Sequence, residues 1–435
     1  MPSSGLLEQP PVPSPQFTPL AEQIPLPLAA LTNFPSGLPS SVQPASPGTP
    51  GLSAVPALAG TSQLARPTSA VPPAAVPPLL LWGPVELHPH LDYQVSYGNS
   101  LQFSPGQEAN TWINQVSPGL TALLGTHWTL DYTPTLRFYS SPQFQNGTDQ
   151  SASLAGQTVY GDWTLGLAQS YGATTQPIIE TGTLLSQDVY STALTGSGQL
   201  SSKVSLDLSL NQNFRFVNQG QIVGEVSDWR EWSTLDWLNY KLWPKLTVGL
   251  GLGGGYDMVD VGPDDVFEDV QGRVVWNPAT KFSVILSGGV DIRQFLSSGV
   301  PPSVSPIFSL ALQYQLFEAT TLSVSGSRAI SPSYFAGALT ESTLLSAGVR
   351  QRLLGEFYAN VACGYNDTKY TGTSQSIFAA PASDYTSTSL NISLSTTFFK
   401  RGTASVFYAL NYLSSGAAIY NYTTRQVGLS LGYRF

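Results

Sequence analysis

The residues able to do chemistry are few and lie close together. His88, His90 and His127 are the three histidines of a 435-residue chain, and Glu86 and Asp92 flank the first two. Alternate residues of an extended strand share a face, so Glu86, His88, His90 and Asp92 point the same way. Imidazole and carboxylate are ligands for zinc or copper. His127 falls two strands along, about 10 Å away at ~4.8 Å per strand, which is loose for one coordination sphere. Hydrated rim residues are the plainer expectation. The single Cys363 excludes an intramolecular disulfide and any multi-cysteine metal site; it sits at a small, apolar position of an alternating run. Gly428-Leu429-Ser430-Leu431-Gly432 spells G-x-S-x-G, but within an alternating run and not at a strand-to-helix turn, so it is no nucleophile elbow, and no phosphate-binding P-loop occurs. The expectation is no enzyme, no cofactor and no metal. A net charge of −9 argues against nucleic acid as a partner.

The elements that must position these residues are strands. Charged residues make up 10% of the chain, against about 25% in soluble domains, yet mean hydropathy is only +0.01. That balance fits two half-surfaces, one apolar and one uncharged-polar. No run approaches the roughly 18 apolar residues of a membrane helix. Instead, alternation dominates. In 127–140, Trp128, Leu130, Tyr132, Leu136 and Phe138 share one face, and Thr129, Asp131, Thr133, Thr135 and Arg137 the other. Similar segments fall near 85–97, 109–124, 148–160, 163–172, 185–199, 203–216, 226–242, 245–257, 265–276, 281–293, 304–316, 320–331, 338–353, 356–370, 384–398, 403–413 and 423–435. That is about eighteen strands, or sixteen if one parity slip merges two segments. The stretch 226–242 changes parity midway, which predicts a bulge. Most strands hold enough residues to cross a bilayer, which takes about 9–11 when tilted.

Connections alternate between short turns and longer polar loops, and aromatics cluster at both ends of the strands. Trp128, Tyr160, Trp163, Trp243, Trp276, Phe317, Phe399 and Phe435 sit by the short turns; Phe138, Tyr171, Phe216, Tyr256, Tyr370 and Tyr412 sit towards the other ends. Two aromatic bands of this kind mark the two faces of a membrane. The fold class read from this pattern is all-β: a transmembrane antiparallel up-and-down β-barrel over residues 85–435. Residues 1–84 form a separate segment, since 19 of the 34 prolines lie before residue 80. Proline removes backbone donors and favours extended, unpaired chain, so this segment is expected to be disordered. A periplasmic tether, a plug for the lumen and a partner-binding segment are its open readings. A leader peptide is not visible, because the first basic residue is Arg66.

The chain closes on Val427, Leu429, Leu431, Tyr433 and Phe435 along one face, with Gly428, Ser430, Gly432 and Arg434 on the other. Together with the eighteen alternating segments and the loop asymmetry, this ending resembles the Gram-negative outer-membrane β-barrel proteins. The resemblance covers roughly residues 85–435. It implies outer-membrane lipid around the barrel and a periplasmic location for both chain ends. It also implies recognition of Val427, Leu429, Leu431, Tyr433 and Phe435 by the barrel assembly machinery during biogenesis.

If the apolar face meets lipid, the other face lines a lumen. Asp131, Arg137, Asp207, Arg215, Asp291, Arg293, Arg350 and Arg352 fall on that face. Their mixed signs predict weak ion selectivity, and mutual pairing across the wall is the blander expectation. Arg137, Arg215 and Arg293, near the long-loop ends, are candidates for a basic ring. Gly249, Gly251, Gly253 and Gly255 form an inward stripe that either relieves curvature or admits a packed segment. No long loop has the features of a constriction loop. Antiparallel closure of the last strand on the first predicts that Glu86 and His88 lie beside Arg434, with a Glu86–Arg434 contact setting the register. The expected role is passive, porin-like diffusion of small hydrophilic solutes. The alternative is a non-conducting structural or envelope-assembly barrel, and a homo-oligomer is compatible with either.

Overall fold

The computed structural model describes residues 80–99, 110–125, 127–142, 144–178, 183–218, 226–296, 302–335, 338–372, 384–416 and 421–435. The strands in chain order are β1 Leu80–Trp82, β2 Val85–Gly98, β3 Thr111–Leu124, β4 Trp128–Tyr139, β5 Gly147–Tyr160, β6 Trp163–Ile178, β7 Thr183–Gln199, β8 Val204–Asn218, β9 Trp229–Trp243, β10 Leu246–Val259, β11 Asp265–Ala279, β12 Phe282–Phe295, β13 Ser303–Phe317, β14 Thr320–Pro332, β15 Ala338–Arg352, β16 Phe357–Gly372, β17 Tyr385–Phe398, β18 Gly402–Ser415 and β19 Tyr422–Arg434. From β2 onward each pairs antiparallel with the next, and β19 pairs back on β2. Eighteen strands therefore close into a barrel, which removes the exposed edge that an open sheet would carry. The sixteen-strand option is excluded.

Alternation sorts the side chains as a barrel requires. On β10, Leu250 and Leu252 are more than half exposed outward, while Gly251 between them is buried inward. Large outward aromatics lie at both strand ends: Trp82, Tyr160, Trp243, Phe317 and Phe399 by the short turns, and Trp112, Phe138, Trp232 and Tyr412 at the other end. Tight turns need left-handed backbone, supplied by Gly125 and Gly161 and, without glycine, by Phe399 and Lys400.

The seam departs from the expected register. Arg434 stands opposite His90, and the ladder runs from there to Gln426 opposite Gly98. Glu86 instead faces Leu81 on β1. The expected Glu86–Arg434 contact is thus displaced by four residues, about 13 Å at ~3.3 Å per residue. The reason lies in β1. Leu80–Trp82 is paired chain, so the wall begins before Val85; the 1–84 boundary moves accordingly, and residues 1–79 lie outside the described residues. β1 occupies the edge of β2 from Val85 to Leu87, and β19 occupies it from His90 onward. Between them the Phe435 N–H donates to the Pro89 carbonyl at 3.0 Å.

No bulge forms midway through 226–242; the register shift falls at its end, where Leu242 is the extra residue between Lys241 and Trp243. β8 and β9 keep one register from Val204–Tyr240 to Arg215–Trp229. The ladder merely opens at Ser209, whose N–H donates to the Asp236 carboxylate at 3.1 Å. The irregularity in β9 pairing sits at its turn end, between Leu246 and Thr247 of β10.

Candidate functional site

The inner wall carries the polar chemistry. Asp131, Asp207, Arg215, Asp291 and Arg293 are all buried there. Three arginine-centred clusters organise the part of the wall formed by β8 to β12, and each follows from inward parity plus cross-strand neighbours.

The first cluster is centred on Arg273. Its Nη2 donates to Asp207 at 2.7 Å and to Asn239 Oδ1 at 2.6 Å, and Asn239 Nδ2 donates to Asp207 at 2.7 Å. The guanidinium lies 4.3 Å from the Trp237 ring. Arg293 centres the second, donating to Asp257 at 2.6 Å, Asp265 at 2.7 Å and Asp291 at 3.4 Å. Its carbon end lies 4.6 Å from the Phe267 ring, and Trp229 Nε1 donates to the other Asp257 oxygen at 2.9 Å. Three carboxyl groups thus share one guanidinium.

These clusters explain the glycine stripe. A Cβ on Gly251 would meet the Trp237 ring at 2.8 Å, and one on Gly255 would run into Phe267. The bare β10 positions receive the two rings that stack on Arg273 and Arg293. They also explain why 226–242 reads as a parity change: Trp229 and Trp237 are aromatic yet inward, because their faces or N–H groups serve buried charges.

Arg215 centres the third cluster, and here a loop enters. The short connection after β14 brings Tyr334 over Arg215, 3.8 Å from ring centre to guanidinium, with Trp229 at 5.4 Å on another side. Arg215 Nη2 donates to the Ser333 carbonyl at 3.1 Å, and Tyr334 Oη donates to Gln187 of β7 at 2.8 Å. Ser227 N donates to the Tyr334 carbonyl at 2.9 Å, and Val226 bridges Phe335. Leu185, Val217, Val226 and Tyr334 bury one another. Because β14 stands six strands round the ring from β8, this contact spans the interior. The expectation concerned the long loops; here a short connection, anchored by the aromatic Tyr334, reaches across to β7 and β8.

The remaining candidates are spread around the wall. Arg137 pairs with Asp149 and donates to the Thr175 carbonyl at 3.3 Å. Arg137 and Arg293 are thus paired with carboxyl groups while Arg215 holds a carbonyl and two rings, so the three do not act as one free basic ring. Arg350 stacks 4.5 Å from Tyr358, whereas Arg352 is exposed at the turn, donating to the Gly355 carbonyl at 3.0 Å. Asp131 accepts from Thr121 at 2.6 Å and from Thr133 at 2.9 Å. Thr133 has one hydroxyl proton, spent on Asp131, so His90 Nε2, 3.1 Å away, is assigned as donor to it. His88 lies 3.7 Å from Glu86. The histidines therefore serve different partners, and among the described residues no group of three His, Cys, Asp or Glu side chains could hold a metal. Val427, Leu429, Leu431 and Phe435 face outward and are exposed.

Sequence reasoning missed Arg273, Asp257, Asp265, Trp229, Trp237 and Tyr334. The first three have inward parity and could have been found by it. The aromatics carry no such signal.

No family model matches the chain, and no curated protein matches it. Among solved structures it is similar to Pseudomonas aeruginosa OccK11 (OpdR), at 14% identity and TM-score 0.40 over 80% of this chain and 96% of that one. It is also similar to Pseudomonas aeruginosa OpdK with vanillate, at 10% and 0.41 over 80% and 98%, and to the siderophore receptor PirA of Acinetobacter baumannii, at 10% and 0.43 over 80% of each chain. The fold itself rests on this chain's own strand pairing. A closed, even-numbered antiparallel barrel, apolar outside and polar within, is the architecture of the Gram-negative outer-membrane β-barrel proteins.

Proposed function

We propose that this chain is a porin-like channel of the bacterial outer membrane, passing small hydrophilic solutes by passive diffusion. The carrying observation is a closed eighteen-stranded wall with its charged and amide side chains inside, since a barrel of this size is wide enough for an aqueous path. In this reading the short-turn end, with Trp82 and Phe435, faces the periplasm, and the segment before Leu80 lies on that side. Val427, Leu429, Leu431, Tyr433 and Phe435 serve as the signal for the assembly machinery. Paired inward charges of both signs support weak selectivity.

A second reading is a non-conducting structural barrel, favoured by one observation: the Tyr334 loop is tied across the interior to β7 and β8. Planar-bilayer recording separates the two. Stepwise conductance supports the channel; a correctly folded barrel without steps rejects it in favour of the structural reading.

A further inference from the structure

We propose that Arg215 is a binding site for a small oxyanion, a carboxylate or phosphate group, and that its occupation releases the loop that crosses the lumen. The release step rests on the channel reading above; the site does not.

Arg215 differs from the other buried arginines. Arg273 and Arg293 each hold at least one carboxylate, and Arg137 holds Asp149. Arg215 is 3% exposed and forms no ion pair among the described residues. Its Nε and Nη1 are buried without an acceptor. The nearby acids are committed elsewhere: Asp228 accepts from the Val217 N–H at 2.7 Å, and Glu231 accepts from Ser233 at 2.6 Å and Asn213 at 3.5 Å. A buried cation without a counter-charge is costly, and so are buried donors left unmade. An arriving oxyanion supplies both missing parts.

The placement of the rings fits an in-plane ligand. Tyr334 covers a face of the guanidinium at 3.8 Å, so acceptors approach its edge, where the unpartnered N–H groups lie. Among the described residues, the one acceptor supplied to it is the Ser333 carbonyl at 3.1 Å. A charged oxygen is a stronger acceptor than a neutral carbonyl. Once an oxyanion holds the edge, the Ser333 bond weakens, and Tyr334 and the Val226–Phe335 bridge lose one of their ties. The site thus links arrival of an anion to opening of the mouth.

The test uses the full-length barrel folded in detergent. Acetate and inorganic phosphate are titrated separately by calorimetry, with uncharged acetamide as the control. Saturable binding of either anion, absent for acetamide, weakened about tenfold or more in Arg215→Gln and retained in Arg215→Lys, is expected; the two probes distinguish carboxylate from phosphate. Equal binding by wild type and Arg215→Gln, both folded by heat-modifiable migration, overturns the site, as does no binding at all. For the release step, Val226→Cys/Phe335→Cys is placed in a Cys363→Ser background. The bound anion should slow disulfide formation at least severalfold, and an unchanged rate overturns the coupling. Absence of conductance with anion binding intact counts against the channel reading and leaves the site standing.

Discussion

The Phe435 N–H donates to the carbonyl of Pro89, directly opposite it across the seam. In such a pair the return bond would run from the residue-89 N–H to Phe435. Proline lacks that donor, so the missing bond falls where the β19 ladder stops and β1 takes over the edge. A residue that looks misplaced in a central strand marks the junction of the two chain ends.

This register predicts the crosslinks. In a Cys363→Ser background, His90→Cys/Arg434→Cys should form a disulfide in the folded barrel, because paired positions lie within about 4.4–6.8 Å. Glu86→Cys/Arg434→Cys should not, the offset being about 13 Å. Non-reducing gels of unheated protein read both; the reverse pattern would restore the Glu86 register.

Filling the glycine groove should cost stability. Gly251→Val pushes against the Trp237 ring, which a Cβ already meets at 2.8 Å, and should destabilise by about 1–3 kcal/mol. Gly272→Ala, whose Cβ would find its nearest neighbour at 4.0 Å, should be close to neutral. Urea unfolding from detergent compares the two, and equal loss would mean that the stripe serves curvature alone.

Removing the shared cation should unbalance the wall. Arg293→Gln leaves Asp257, Asp265 and Asp291 without their guanidinium and is expected to destabilise by about 3–5 kcal/mol. In any channel that still inserts, reversal potentials under a KCl gradient should move towards cation selectivity. Arg137→Gln, which frees one carboxylate, should give a smaller shift.

Cutting the loop anchor should open the mouth. Tyr334→Ala removes the ring over Arg215 and the bond to Gln187, and single-channel conductance should rise. Tyr334→Phe removes only the hydroxyl bond, worth about 1 kcal/mol, and should leave conductance near wild type with more frequent flicker. An unchanged trace for Tyr334→Ala would mean that the loop does not obstruct the path.

The strand count, the closed barrel, the two aromatic bands and the inward parity of Asp131, Asp207, Arg215, Asp291 and Arg293 were legible in the sequence. They depend on a two-residue period, which is local and repeats along each strand. Tertiary structure decided the rest. Which residue opposes Arg434 depends on where two chain ends meet, and no local pattern records that β1 fills the edge below Phe435. Trp229 and Trp237 break the polarity rule because each serves a buried charged group brought beside it by the cross-strand register. Tyr334 reaches Arg215 only because closure curls β14 round to face β8, a proximity that alternation along a single strand does not encode.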